Sequence, residues 1–156
     1  MVETFANKVA WITKFSTGIL AGIMTMVVFV EVISRYLLQE SIFFSEELSR
    51  LAFVWASFLA ISLGFRTGIH INVQFILNVI PVAQRRLILL LSEAVILLFL
   101  SVVFISSITI LPHHWDELTP TIGITMFWFY LAVPVGVALM IIQVLPLFEK
   151  TIKGRL

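Results

Sequence analysis

Four long apolar runs divide the chain, at residues 15–38, 47–65, 87–111 and 121–148. A helix needs about 20 mostly apolar residues to cross ~30 Å of hydrocarbon, so each run is a candidate span. The first carries no charge until Glu31. The second is free of charge only from Leu51 onward. The third holds Glu93 near its start, and the fourth holds no charge at all. Between them lie a short polar turn at 39–45, a connection bracketed by Gly68 and Pro81, and a polar loop at 112–120. The pattern predicts an all-α integral membrane protein: one membrane domain over 1–156, with four transmembrane helices.

The segment 68–80 is too short to cross. His70, Gln74 and Asn78 recur every four residues, while Ile69, Val73, Ile76 and Ile80 fall on another side. This spacing predicts a helix lying in the membrane interface between spans two and three. Residues 69–75 also alternate strictly, which is a strand pattern. A strand exposed at a membrane surface leaves backbone groups unpaired, which favours the helix.

Composition narrows the class. Hydrophobic residues make up 60% of the chain and charged residues 12%, more apolar surface than a soluble fold of 156 residues can hide. Cysteine is absent, which removes disulfides, thiolate metal sites and a cysteine nucleophile. A net charge of +1 argues against a nucleic-acid partner. The first apolar run is too long for the core of a cleaved signal peptide, and no A-x-A site closes it.

Charge distribution predicts orientation. Lys8, Lys14, Arg66, Arg85, Arg86, Lys150, Lys153 and Arg155 fall on one side of the spans, and only Arg35 and Arg50 on the other. The loops of that other side carry Glu40, Glu46, Glu47, Asp116 and Glu117. Positive residues stay inside, so both termini are expected in the cytoplasm.

The polar residues within the spans suggest packing rather than chemistry. Ser49, Ala52, Ala56, Ala60 and Gly64 form a small-residue stripe in span two, the kind of surface that lets helices approach closely in lipid. Gly18 and Gly22 offer a GxxxG spacing in span one. Glu31 and Arg35, and Glu46 or Glu47 with Arg50, are read as structural ion pairs at the outer ends of two adjacent helices. A proton relay would continue inward, and the next acidic residue within a span is Glu93, near the opposite end. Glu93 is expected to pair with Arg66, Arg86 or a basic group on another chain.

His113 and His114 are expected outside and His70 inside, so they cannot share a haem, and Asp116 and Glu117 make a weak metal set. Trp11, Trp115 and Trp128 sit where interfacial anchors sit, Trp55 lies deeper, and Pro134 is expected to kink span four. No phosphate loop, catalytic triad spacing or inverted repeat is visible. The chain reads as a non-enzyme without metal or cofactor.

Span two and its flanks resemble a known family, the small membrane subunit (DctQ type) of tripartite ATP-independent periplasmic (TRAP) transporters. The likeness rests on Arg35-Tyr36, Ser45-Glu46-Glu47-Leu48-Ser49-Arg50, Val54-Trp55, Gly64-Phe65-Arg66, His70-Ile71, and then Pro81, Arg85 and Arg86. It covers about 50 residues by motif and the whole chain by length and hydropathy. Gln74 stands where many members have an acidic residue, and Ala60 where glycine is frequent.

The resemblance implies a bacterial inner-membrane subunit that braces a large membrane subunit holding the substrate and sodium sites. It also implies a periplasmic binding protein that delivers an organic acid. Arg66, His70, Arg85, Arg86 and Glu93 are then candidates for an anchor to the inner leaflet or a contact with the partner. Two other readings are an autonomous four-span proton-coupled transporter using Glu31, and a membrane anchor for a redox enzyme, which requires haem.

Overall fold

Hydrocarbon offers no hydrogen-bond partners to a peptide group, so a chain that crosses it must satisfy its backbone internally. The computed structural model describes residues 2–40, 42–66 and 82–153, and nearly all of these are helical. Helix α1 spans Val2–Ile33 and continues through a wider π-helical turn, Ser34–Leu38. Helix α2 spans Ser45–Arg66 and α3 spans Val82–Ile110, which ends in a short 3₁₀ turn, Leu111–His114. Helix α4 spans Phe127–Ile152. All four are long and apolar enough to cross a membrane. Among the described residues the only extended pairing is an isolated bridge between Leu118 and Thr125. The segment 68–80, with its expected interfacial helix and His70, lies outside the described residues.

The boundaries that differ most from the hydropathy reading are the starts of α1 and α4. Helix α1 begins more than a turn before Lys14 because the helical period continues upstream of the charges: Ala6, Ala10 and Thr13 are buried on one side while Lys8 and Lys14 face out. Helix α4 begins at Phe127, not at residue 121. Residues 117–126 instead form a tight hairpin in which Thr119 N–H donates to the Ile124 carbonyl (2.8 Å) and Met126 N–H to the Glu117 carbonyl (2.7 Å). Gly123 turns that hairpin at φ +73°, a left-handed conformation that glycine adopts without steric cost. The absence of charge made the stretch look membrane-spanning, but turn chemistry decided its shape.

The helices pack in the order α1, α2, α4, α3. Helix α1 lies along α2, α2 along α4, and α3 along α4, with a smaller contact between α1 and α4. Helix α4 is central: 44% of its apolar window is buried, against none for α1 at the edge. The core gathers Leu100 of α3 with Val137, Met140 and Val144 of α4, and Phe58 and Phe65 of α2 pack against it. Leu87, Leu91, Val95, Leu98, Val102 and Ile105 form an exposed apolar stripe on α3. That is the expected surface of a helix facing lipid or another membrane chain.

Helices α2 and α4 come close together at Gly136, where an added Cβ would stand 2.6 Å from Phe58 Cβ. The obstacle is the root of a side chain rather than its flexible end, so relief requires the helices to part. Gly136→Ala is therefore expected to cost about 1–3 kcal/mol through overpacking. A lowered thermal midpoint of the purified chain in detergent checks this, and Phe58→Ala should not restore it, because alanine keeps the obstructing Cβ.

Candidate functional site

The polar chemistry concentrates at the two ends of the helix row. At the end formed by the α1–α2 and α3–α4 loops, two buried carboxylates act as clamps. Glu31 sits in the last turns of α1. Its Oε1 accepts from Arg35 Nη2 at 2.7 Å, and its Oε2 accepts from the Ile42 backbone N–H at 2.9 Å. The Ser45 hydroxyl lies 2.9 Å from Oε2 and 2.7 Å from the Ile42 carbonyl, and shares its one proton between them. Glu31 is buried while Arg35 reaches outward, the snorkelling geometry of a long cation at a membrane boundary. Left-handed Gln39 (φ 56°) ends the π-helical turn, and the Ser34 hydroxyl donates to the Glu40 carbonyl at 2.7 Å. One carboxylate thus ties the end of α1 to the start of α2.

Glu47 makes the second clamp. It is 7% exposed, and its two oxygens accept separately from the backbone N–H groups of Thr121 (2.8 Å) and Ile122 (2.9 Å). The hairpin presents those successive amides because Gly123 bends the backbone and Thr119 Oγ1 accepts from Ile124 N–H at 3.1 Å. The sequence offered Glu46 or Glu47 as the partner of Arg50. The structure gives Arg50 to Glu46, at 2.6 Å on the exposed side of α2, and turns Glu47 inward to the loop. Successive residues on a helix lie about 100° apart, so the two carboxylates cannot share one partner on one face.

Around these clamps, the His114 ring stacks on Tyr130 with centroids 3.7 Å apart and places Nδ1 2.6 Å from Glu117 Oε2. Trp55 Nε1–H donates to the Trp128 carbonyl at 3.0 Å, tying α2 to the first turn of α4. A cleft of about 300 Å³ opens between Glu46, Arg50, Met126, Phe129 and Tyr130. Among the described residues, no three His, Asp or Glu side chains gather as metal ligands do.

The opposite end is held by contacts that converge on the last turn of α4. Lys150 pairs with Glu3 of α1 at 2.6 Å, Arg86 of α3 donates to the Ile152 carbonyl, and Lys153 pairs with Glu149. Glu93, 3% exposed, accepts from the Thr151 hydroxyl at 3.0 Å. The sequence offered Arg66, Arg86 or a basic group on another chain as its partner; Arg86 reaches the C-terminus of α4, where a cation answers the exposed carbonyls. Arg85 is half-buried beside it, and Arg66 is the last residue of α2.

The small-residue stripe is unevenly buried within this chain. Ala52 is buried, Ser49, Ala56 and Gly64 are half-buried, and Ala60 is exposed. A spacing of four drifts by ~40° per step, so three steps carry the stripe a third of the way round the helix. The buried face of α2 runs instead through Ser45, Ala52, Leu59 and Ser62. Gly18 and Gly22 have no neighbour within 4 Å of where a Cβ would stand.

One buried polar pair escaped the sequence reading. Gln143 of α4, 1% exposed, directs its Nε2 toward Ser62 Oγ of α2 at 3.4 Å. A glutamine isolated within a span of apolar residues was the available signal, since polar side chains in lipid join helices.

Four apolar helices in a row, with buried carboxylates holding loops and helix ends, define a small multi-pass membrane protein. Residues 24–152 match the family described as tripartite ATP-independent periplasmic transporters, DctQ component, and the chain belongs to that family. It is 31% identical over 153 residues to the ectoine TRAP transporter small permease protein TeaB of Halomonas elongata, covering 92% of this chain and 77% of that protein. It is also 30% identical over 98 residues to the C4-dicarboxylate TRAP transporter small permease protein DctQ of Rhodobacter capsulatus, covering 62% of this chain and 43% of that one. The corresponding protein of Vibrio cholerae is 31% identical over 111 residues, covering 71% and 45%. The chain therefore spans under half the length of these two dicarboxylate relatives. Its relatives are transporter subunits and not enzymes.

The double amide grip of Glu47 is the clearest test of the clamps. Glu47→Ala leaves two backbone donors without their acceptor, at about 1–3 kcal/mol. Hydrogen exchange should speed up at Thr121 and Ile122 in the variant, while the amides of the core turns around Val137 keep their protection.

Proposed function

We propose that this chain is the non-catalytic scaffold subunit of a TRAP-type secondary transporter for an organic acid. In this reading it braces a large membrane subunit that holds the sodium and substrate sites, and works with a periplasmic substrate-binding protein. It holds no cofactor of its own. Both termini face the cytoplasm, with the Glu31 and Glu47 clamps on the periplasmic side and the basic end at the inner leaflet. The names of the relatives, which mention C4-dicarboxylate and ectoine, support a small polar organic solute as the cargo of the assembly.

The observation that carries this reading is the state of Glu31. A coupling carboxylate must be free to exchange a proton or ion as transport proceeds. Glu31 is instead held by Arg35, the Ile42 amide and Ser45 at one end of its helix. Among the described residues, the buried polar side chains away from the two ends are Ser62 and Gln143, both neutral. Neither arrangement suits an autonomous transporter.

Reconstitution tests the proposal. Liposomes holding this chain alone should accumulate no dicarboxylate or ectoine above protein-free controls. Adding the large membrane subunit and the binding protein should produce sodium-dependent uptake. Accumulation by the chain alone would overturn the reading. Glu31→Gln separates the alternatives further: it should weaken copurification with the large subunit, whereas a coupling role predicts lost transport in an intact complex.

The absence of native cysteine gives a clean topology test. A single cysteine at Glu40 should react with an impermeant maleimide from the periplasmic side. One at Lys153 should react only after the membrane is opened.

A further inference from the structure

On the outward side of α1, opposite the packed residues Ala6, Ala10 and Thr13, a groove of about 430 Å³ is lined by Trp11, Lys14, Phe15, Gly18 and Ile19. The Trp11 and Phe15 rings lie parallel, 6.0 Å between centroids, and wall one side. Gly18 supplies the floor, with nothing within 4 Å of where its Cβ would stand. Among the described residues Lys14 takes part in no ion pair, although its helix is fixed in place by the Glu3–Lys150 bridge.

Depth identifies what the groove meets. The far end of α1 is fixed at the membrane boundary by the Glu31–Arg35 clamp and the turn that begins at Ser34. Counting back the roughly 20 residues that cross the hydrocarbon places the other boundary at about Phe15. Lys14 and Trp11 then lie at headgroup level, and Phe15, Gly18 and Ile19 in the first acyl layer. The groove thus carries a cation where phosphates lie, an indole where indoles partition, and an apolar notch directly below, where a lipid tail begins.

We propose that this groove is a binding site for one anionic phospholipid, its phosphate on Lys14 and one acyl chain laid over Gly18 between Phe15 and Ile19. The depth of the groove holds for either orientation of the chain and for any cargo, so the proposal goes beyond the functional reading and does not depend on it. A helix from another membrane chain could use the Gly18 notch, but it would bring no phosphate to Lys14 at headgroup depth.

The test uses the full chain in nanodiscs of phosphatidylcholine with a minor share of phosphatidylglycerol, released and weighed by native mass spectrometry. The wild type should retain one phosphatidylglycerol in preference to phosphatidylcholine. Lys14→Ala should lower that retention about fivefold, the usual worth of one basic residue at a charged membrane surface. Lys14→Arg should keep it. Gly18→Leu fills the notch without changing charge and should lower retention as well.

Unchanged retention in Lys14→Ala would overturn the proposal. So would a loss in Lys14→Ala with none in Gly18→Leu, which would leave surface charge alone at work. Displacement by millimolar inorganic phosphate would mean that a free anion, not a lipid, is the ligand. A photoreactive residue at position 19 in native membranes should give a lipid adduct, and a protein adduct in its place would assign the groove to a partner helix.

Discussion

The structure depends on a backbone constraint at the edge of the membrane. Inside lipid, each helix satisfies its own peptide groups, but every connection between helices exposes amides that need acceptors. Two carboxylates meet that need at the loop end of the row. Glu31 takes the Ile42 amide and Glu47 takes those of Thr121 and Ile122, so each acidic side chain belongs to one element and completes the next. The stitching runs from α1 to the start of α2, and from α2 to the loop that enters α4. Removing a carboxylate would leave a helix intact and free its neighbour. These residues therefore help set the relative placement of the helices.

That arrangement also explains which groups are left for chemistry, and why they are few. A carboxylate bound by charge-assisted donors is held more firmly than one in water, and it is correspondingly unfit to release and rebind a proton or ion. At the opposite end Glu93, Arg86, Glu3 and Lys150 serve the last turns of α4 in the same manner. Among the described residues, the buried polar side chains away from the two ends are Ser62 and Gln143, which are neutral. The family to which the chain belongs and the distribution of its charges thus lead to one description, a transporter subunit whose buried carboxylates are occupied with structure.

Much of the fold was legible because hydropathy acts on whole spans. Four runs gave four helices, and Glu31, Arg35, Glu46, Glu47 and Arg50 were identifiable as polar residues too costly to leave unpartnered in or near lipid. What hydropathy could not supply was direction around the helix axis. It could not say that Glu46 turns out to Arg50 while Glu47 turns in, because their partners lie 4 and 74 residues away. The small-residue stripe is unevenly buried within this chain for the same reason: a four-residue repeat turns slowly about the helix axis. The early start assigned to span four had a different cause. Gly123 carries a turn signal within the uncharged run that follows Pro120, and lack of charge outweighs it in a hydropathy reading. Ser62 and Gln143 are far apart in sequence, and nothing in either neighbourhood announces the other.

The packing order has a consequence that a closed bundle would not share. In a closed four-helix bundle each helix contacts two neighbours and the polar or small residues point to a common axis. Here the outer helices, α1 and α3, lean mainly on one neighbour each, and α4 carries most of the burial. The exposed faces are long and apolar on α3, and apolar with a cationic, aromatic groove at one end of α1. A row of helices spreads a given length of chain over a wider strip of membrane than a bundle does, and presents two flanks to whatever lies beside it. The scaffold reading draws on that breadth, since a brace acts through the area it covers and the stiffness of its joints. The stiffness comes from the carboxylate clamps at one end and the α4 contacts at the other. The flanks can therefore differ in their partners, lipid on one side and a protein chain on the other, without disturbing how the row itself is held together.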